Sequence, residues 1–255
     1  MRTKRIISCF LLLSVIFCIC SCSNNYEYEY EGITYDRVRP LTDNNGYTVV
    51  GLSDEGKNME VVYIYAEIEG LLVKNVGSAS IAGVTKGYFT GNNLKKIYFP
   101  WSIEYVADYY LWDGYDTVYI ISASTKYLID YRNINDIHII PNFSYQNGIK
   151  FHRSTYDKHS VIDKENVIPA NIAYFFNYEG NPNEGYFFID LLEESGTLTK
   201  PRYDPKREGY TFEGWYKEAE CINAWNFDTD TVIINYDEEG NRIYEEFCLY
   251  AKWAE

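Results

Sequence analysis

Histidine is scarce in this chain, with three residues in 255. A zinc centre needs three or four converging ligands, and His152 and His159, which flank Asp157, show no metal-binding spacing. Ser154 with Asp157 and His159 lacks the nucleophile elbow and the glycine-shaped oxyanion loop that acyl-transfer chemistry requires. No phosphate-cradling glycine loop and no calcium loop is found. The adjacent carboxylates Glu238 and Glu239 read as surface charge, because no cleft is recognisable around them. The expectation is no catalytic residue, no metal and no cofactor. Cations are also in deficit: 23 Lys and Arg against 37 Asp and Glu give a formal charge of -14. That balance excludes the basic footprint of nucleic-acid binding and disfavours charge-driven adhesion to anionic lipid.

Long apolar runs are nearly absent as well. The one that exists, Ile6 to Ile19, follows Arg2, Lys4 and Arg5. As a helix it would reach roughly 21 Å, short of a bilayer's hydrocarbon core of roughly 30 Å. It reads as the apolar region of a signal peptide. The run ends in Ile19-Cys20-Ser21-Cys22, which resembles the lipobox of bacterial lipoproteins. That resemblance implies cleavage after residue 21 and lipid attachment at Cys22, with Cys20 as a rival; the diacylglycerol would supply two-chain anchoring. Cleavage would remove three cations and no acid. Residues 22–45, with the Tyr/Glu alternation of Tyr26 to Glu31, are expected to be a solvated tether, an acidic edge strand being the alternative.

What the chain has in abundance is aromatic area: 27 Tyr, 13 Phe and 5 Trp. Tyrosine suits β faces and recognition surfaces alike. Between residues 46 and 143, short apolar strands begin at Ile97, Val118 and Ile137, a recurrence of about 20 residues, the length of a short leucine-rich-repeat unit. A similar strand begins at Val62. Asn93-Leu94, Ile97, Phe99-Pro100, Ile103 and Val106 together resemble the BspA-type leucine-rich repeat, with degraded positions around Tyr110-Leu111. Each unit would bury its strand only by stacking on its neighbours. Alternation then predicts that Ile97, Phe99, Val118, Ile120, Ile137 and Ile139 point inward. Tyr98, Tyr119 and His138 would form an outward column, bordered by Ile121 and Ile140. This column is the candidate binding face; its alternative is cross-strand pairing that only stabilises the sheet.

Residues 144–169 read as a connector, with a turn at Gln146-Asn147-Gly148 and a further strand at Ile149 to Phe151. Beyond it, Ile172–Tyr178 and Gly185–Leu192 suggest a hairpin around Glu179-Gly180-Asn181-Pro182-Asn183. In Arg207-Glu208-Gly209-Tyr210-Thr211-Phe212-Glu213-Gly214-Trp215-Tyr216, simple alternation sets Tyr210, Phe212 and Gly214 opposite Thr211, Glu213 and Trp215. In the last strand Leu249, Ala251 and Trp253 share a face opposite Cys248, Tyr250 and Lys252. One or two helical turns are expected between Tyr216 and Trp225, and an acidic hairpin turn at Asp237 to Asn241. These motifs, with Trp225-Asn226-Phe227-Asp228-Thr229 and Leu249-Tyr250-Ala251-Lys252-Trp253, resemble the Listeria–Bacteroides repeat of internalin-type surface proteins over residues 170–255. The resemblance implies a small β-grasp-like module. Cys221 and Cys248 are read as independent thiols, with a disulfide as the alternative that spacing cannot establish.

The fold class expected is therefore mainly β with some α, a short leucine-rich-repeat solenoid followed by a β-grasp-like module. The function expected is a monomeric, lipid-anchored bacterial cell-surface protein that binds a protein or glycan without catalysis. A structural spacer without a ligand, and more remotely a hydrolase with an unrecognised site, are the alternatives.

Overall fold

The computed structural model describes residues 28–31, 33–37, 46–76, 94–107, 118–120, 127–129, 137–146 and 167–255. In chain order the first strands are β1 (Tyr28–Tyr30), β2 (Ile33–Arg37), β3 (Tyr47–Leu52), β4 (Val61–Tyr63), β5 (Glu67–Ile68) and β6 (Leu71–Val76). Next come β7 (Lys96–Tyr98), β8 (Tyr105–Ala107), β9 (Val118–Ile120), β10 (Tyr127–Ile129), β11 (Ile137–Ile140) and β12 (Val167–Pro169). The last four are β13 (Ile172–Phe175), β14 (Tyr186–Asp190), β15 (Thr211–Tyr216) and β16 (Phe247–Ala254). Among the described residues helix is confined to short pieces, the longest being α1 (Asn142–Gln146). The protein is mainly β, and the three sheets among the described residues are open.

From β6 to β11 the chain alternates between two ladders. Strands β6, β8 and β10 pair in parallel with β3 in one sheet, while β4, β7, β9, β11 and β12 pair in parallel in the other. The core between them gathers Tyr47, Val49, Val73 and Val76 from the first sheet and Val62, Ile97, Ile140 and Val167 from the second. The second sheet is also buried on its far side, where Tyr98 and Ile139 meet Ala173, Tyr186 and Ile189 of the C-terminal unit. Burial of both faces explains why runs such as Ile137-His138-Ile139-Ile140 do not alternate cleanly between apolar and polar. Ile97, Val118 and Ile137 do stand on neighbouring strands of this one sheet.

The expected register holds between β9 and β11 and is off by one between β7 and β9. Ile97 is level with Tyr119, and Tyr119 with His138; Tyr98 is level with Ile120 and Ile139. Aligning strands by their first apolar residue missed this offset, and a one-residue slip exchanges the two faces of a strand. Tyr98, Tyr119 and His138 therefore do not form one column. Ile139 lies in the outer cluster and Ile140 in the inner core, the reverse of the expected arrangement.

Two further expectations are corrected. The stretch assigned to a solvated tether contains β1 and β2, an antiparallel pair added to the edge of β3, so that Tyr28–Tyr30 is the edge strand given as the alternative, and Ile33 is fully buried. The residues between Tyr216 and Trp225 make no helical turn. They form a loop closed by Lys217 N–H to Asn223 O at 2.9 Å and Trp225 N–H to Trp215 O at 2.8 Å.

The C-terminal sheet has the order β14-β13-β16-β15. Its two hairpin pairs are antiparallel, and β13 and β16 run parallel at the centre. The expected hairpin of residues 172–192 is present as β13 and β14. The acidic excursion is a tight turn, with Tyr236 bridged to Arg242 and Gly240 N–H donated to Asp237 O at 3.1 Å.

Candidate functional site

The C-terminal unit lies against the outer face of the five-stranded sheet, so Tyr98, expected to receive a partner, receives the protein's own hairpin. Tyr98 sits at the centre. It stacks on Tyr63 of the adjoining strand at 4.5 Å and 2°, and on Phe188 of β14 at 5.1 Å and 19°. Its hydroxyl donates to Asp190 Oδ2 at 3.1 Å, and Lys96 Nζ donates to Asp190 Oδ1 at 2.8 Å. Asp190 accepts a third bond from the Leu191 N–H at 2.9 Å. Such satisfaction is what permits a carboxylate side chain only 8% exposed to persist at an internal contact. Burial, reinforced by the charge of Asp190, holds the Tyr98 phenol well above the ordinary tyrosine range.

Around this centre the contact is mixed. Tyr203 donates to the Ile64 carbonyl at 3.0 Å and stacks on Tyr65, while Trp101 meets Phe176 edge-on at 5.7 Å. Exposed ion pairs Lys206–Glu67 and Arg202–Glu31, both at 3.2 Å, close the rim. A buried aromatic centre with a polar rim is the anatomy of a specific interface. The ladder and the C-terminal unit are joined by packing as well as by the chain.

Beyond that contact, the C-terminal unit has its own aromatic core. Tyr174, Phe176, Phe187, Trp215, Trp225, Leu249 and Ala251 form it, covered by the loops between β14, β15 and β16. Strict alternation in the motif fails at one point. Phe212 pairs with Trp253 and Gly214 with Lys252, so Glu213 is an extra residue, a β-bulge. The bulge brings Phe212 and Trp215 together, with ring centroids 5.2 Å apart. Gly214, at φ 130°, supplies a backbone conformation that side-chain-bearing residues rarely adopt. Along β16 the expected faces hold: Leu249, Ala251 and Trp253 pack in the aromatic core, and Cys248 packs toward the ladder.

Both described cysteines are free thiols. Cys221 Sγ lies 3.7 Å from the Ala251 carbonyl, three residues along β16 from Cys248 and so about 10 Å away. Burial pushes the Cys248 thiol up to about 11 and raises that of Cys221 as well. Glu246 is the poorly satisfied acid of this region: its Oε1 is buried without a hydrogen-bond partner, and burial raises its pKa.

The candidate face is thus redistributed. Tyr98 and Ile140 are buried, at 5% and 2% exposure, in two different cores. Tyr119 and His138 occupy register positions level with Ile97. Ile121, Cys22, Cys20 and the Ser154/Asp157/His159 group lie outside the described residues, as does the strand expected at Ile149 to Phe151. Sequence reasoning missed Lys96 and Asp190. The signal was a carboxylate ending the apolar run Tyr186-Phe187-Phe188-Ile189. Among the described residues no group of three or more His, Cys, Asp or Glu converges as a metal site would require.

Residues 175–252 match the Listeria-Bacteroides repeat domain. That is a surface-associated repeat family. The matched region starts at the end of β13 and includes β14, β15, the bulge and most of β16. A protein of Evansella cellulosilytica, named as a Gly-rich membrane protein, is 32% identical over 81 residues, 32% of this chain and 8% of that protein. A second from the same organism, named as a membrane protein, is 31% identical over 94 residues, 34% of this chain and 12% of its own length. The chain thus matches about a tenth of the length of these curated relatives. Among the described residues no helix is long and apolar enough to cross a membrane.

Proposed function

We propose that this is a lipid-anchored bacterial cell-surface protein that binds a protein or glycan and performs no catalysis. The observation carrying the reading is the repeat domain at residues 175–252, of a surface-associated family and similar to segments of proteins named as membrane proteins. The lipobox-like Ile19-Cys20-Ser21-Cys22 supplies the attachment point, with Cys22 acylated after cleavage. The two alternating parallel ladders support reading residues 46–143 as BspA-type leucine-rich repeats, and the order β14-β13-β16-β15 supports a β-grasp-like C-terminal module. Because the Asp190 contact joins the two, the ectodomain is displayed as one body. Ligand contact then falls to surfaces other than Tyr98 and its neighbours.

Anchoring and binding are tested separately. Metabolic labelling with a fatty-acid probe should acylate the native chain and the Cys20→Ser variant but not Cys22→Ser. External protease should degrade the protein on intact cells. Unlabelled native chain, or labelling that survives Cys22→Ser, would reject the anchor. Pull-down with residues 23–255 should retain a specific envelope or host component, whereas specific retention of nothing would favour a spacer.

A further inference from the structure

The described cations of this acidic protein are mostly spent. Eight ion pairs join lysine or arginine to carboxylates. Of the three arginines whose side chains are described, Arg202 pairs with Glu31 and Arg242 donates to the Leu192 carbonyl. Arg207 does neither. Its guanidinium carbon lies 3.5 Å from the Tyr210 ring centroid and 4.8 Å from that of Tyr178, and the guanidinium has no hydrogen bond or ion pair among the described residues.

The local sequence dictates this clasp. Tyr210 N–H donates to Arg207 O at 3.1 Å, closing a four-residue turn over Glu208 and Gly209. Gly209, at φ 78°, occupies the position of a type II turn that requires positive φ. The turn brings the guanidinium against the ring of Tyr210, three residues on. Tyr178 is held in turn by Trp253, edge-on at 5.8 Å, whose indole N–H donates to the Phe176 carbonyl at 2.6 Å. Arg207, Tyr178, Tyr210 and Trp253 are all partly exposed.

A guanidinium stacked through its faces keeps its in-plane N–H edge for other partners, and that edge fits an oxyanion in bidentate fashion. Clasping also lowers the entropy lost on binding, since the side chain is already ordered. We propose that Arg207, set between Tyr210 and Tyr178, is a carboxylate-recognition site for an acidic saccharide. The carboxylate pairs with the guanidinium, and the C–H face of the sugar ring lies on the exposed aromatic edge formed by Tyr178, Tyr210 and Trp253. Charge selects the ligand class. At a net charge of -14 the field of the protein repels polyanions and phosphate dianions, whereas a single carboxylate is neutralised by the single arginine.

This inference rests on and deepens the surface-binding reading and gives it a site away from the ladder. It is tested in solution on residues 23–255, so its failure leaves the anchor untouched, and failure of the labelling experiment leaves this site untouched. In NMR titrations, sodium glucuronate should shift the ring resonances of Tyr178 and Tyr210, with an affinity in the millimolar range, and glucose should not. Arg207→Lys should weaken binding about tenfold by losing the planar fork, and Arg207→Gln should abolish it, with near-UV circular dichroism confirming the fold. If Arg207→Gln unfolds, Tyr178→Leu, which keeps the cation and loosens the clasp, should weaken glucuronate binding several-fold. No shift with glucuronate, or binding unchanged in Arg207→Gln, overturns the site. Equal binding of acetate, inorganic phosphate or a carboxylate-terminated peptide overturns the saccharide assignment.

Discussion

Removing the carboxylate of Asp190 should loosen the C-terminal unit from the ladder. In Asp190→Ala the ammonium of Lys96, whose side chain is 26% exposed, loses its partner at 2.8 Å, and the Tyr98 hydroxyl loses its acceptor in a site whose surroundings are aromatic. Breaking a buried pair by deleting one member typically costs about 3–5 kcal/mol. Lys96 can still reach water, so about 3 kcal/mol is expected, against a total stability of order 5–15 kcal/mol for a domain. Tyr98→Phe removes only the donor to a charged acceptor and should cost about 1.5 kcal/mol. The measurement is urea unfolding of residues 23–255 followed by tryptophan fluorescence. Trp215, Trp225 and Trp253 report on the C-terminal unit. The native chain should unfold in one transition, and Asp190→Ala should separate the C-terminal unit into its own earlier or later transition. A Lys96→Met, Asp190→Ala double-mutant cycle should show coupling above about 1 kcal/mol. An Asp190→Ala cost below about 0.5 kcal/mol, the range of an ordinary surface substitution, would refute the claim that this carboxylate joins the units.

Three other outcomes follow from the geometry. Gly214→Ala, which forces a side chain onto φ 130°, should destabilise the protein by about 1–3 kcal/mol in the same unfolding assay, and a neutral result would remove the bulge as a requirement. Glu246→Gln should raise Tm at pH 7. The folded-state pKa of Glu246 lies above its unfolded value, so the native chain loses stability as pH climbs from the ordinary glutamate range toward neutrality. The advantage of the variant should vanish at low pH, and one that persists there would exclude titration as its cause. Finally, alkylation of the folded chain without reductant, read by peptide mass, should label Cys221 before Cys248, whose thiol is pushed up to about 11 by burial. Failure of both to react until a reductant is added would indicate a disulfide.

Composition and local pattern decided what kind of molecule this is. The predominance of strands, the hairpin of residues 172–192, the shared face of Leu249, Ala251 and Trp253, and the placement of Ile97, Val118 and Ile137 on neighbouring strands of one sheet follow from turn residues and spacing that act within a few positions. The Arg207-Glu208-Gly209-Tyr210 turn belongs to the same class, because its glycine and its stacked cation are neighbours in sequence. Tertiary structure decided which face of each strand is which. Register is a relation between segments about 20 residues apart, and one residue of slip moves Tyr98 and Ile139 to a different core from Ile97 and Ile140. A bulge at Glu213 likewise overrode alternation, through pairing to a strand almost 40 positions away. The Lys96–Asp190 pair spans 94 positions, and no local rule links its members. Whether Tyr98 is part of a docking surface or of an internal joint depended on what the rest of the chain laid over it, and here the chain covered it with its own C-terminal hairpin.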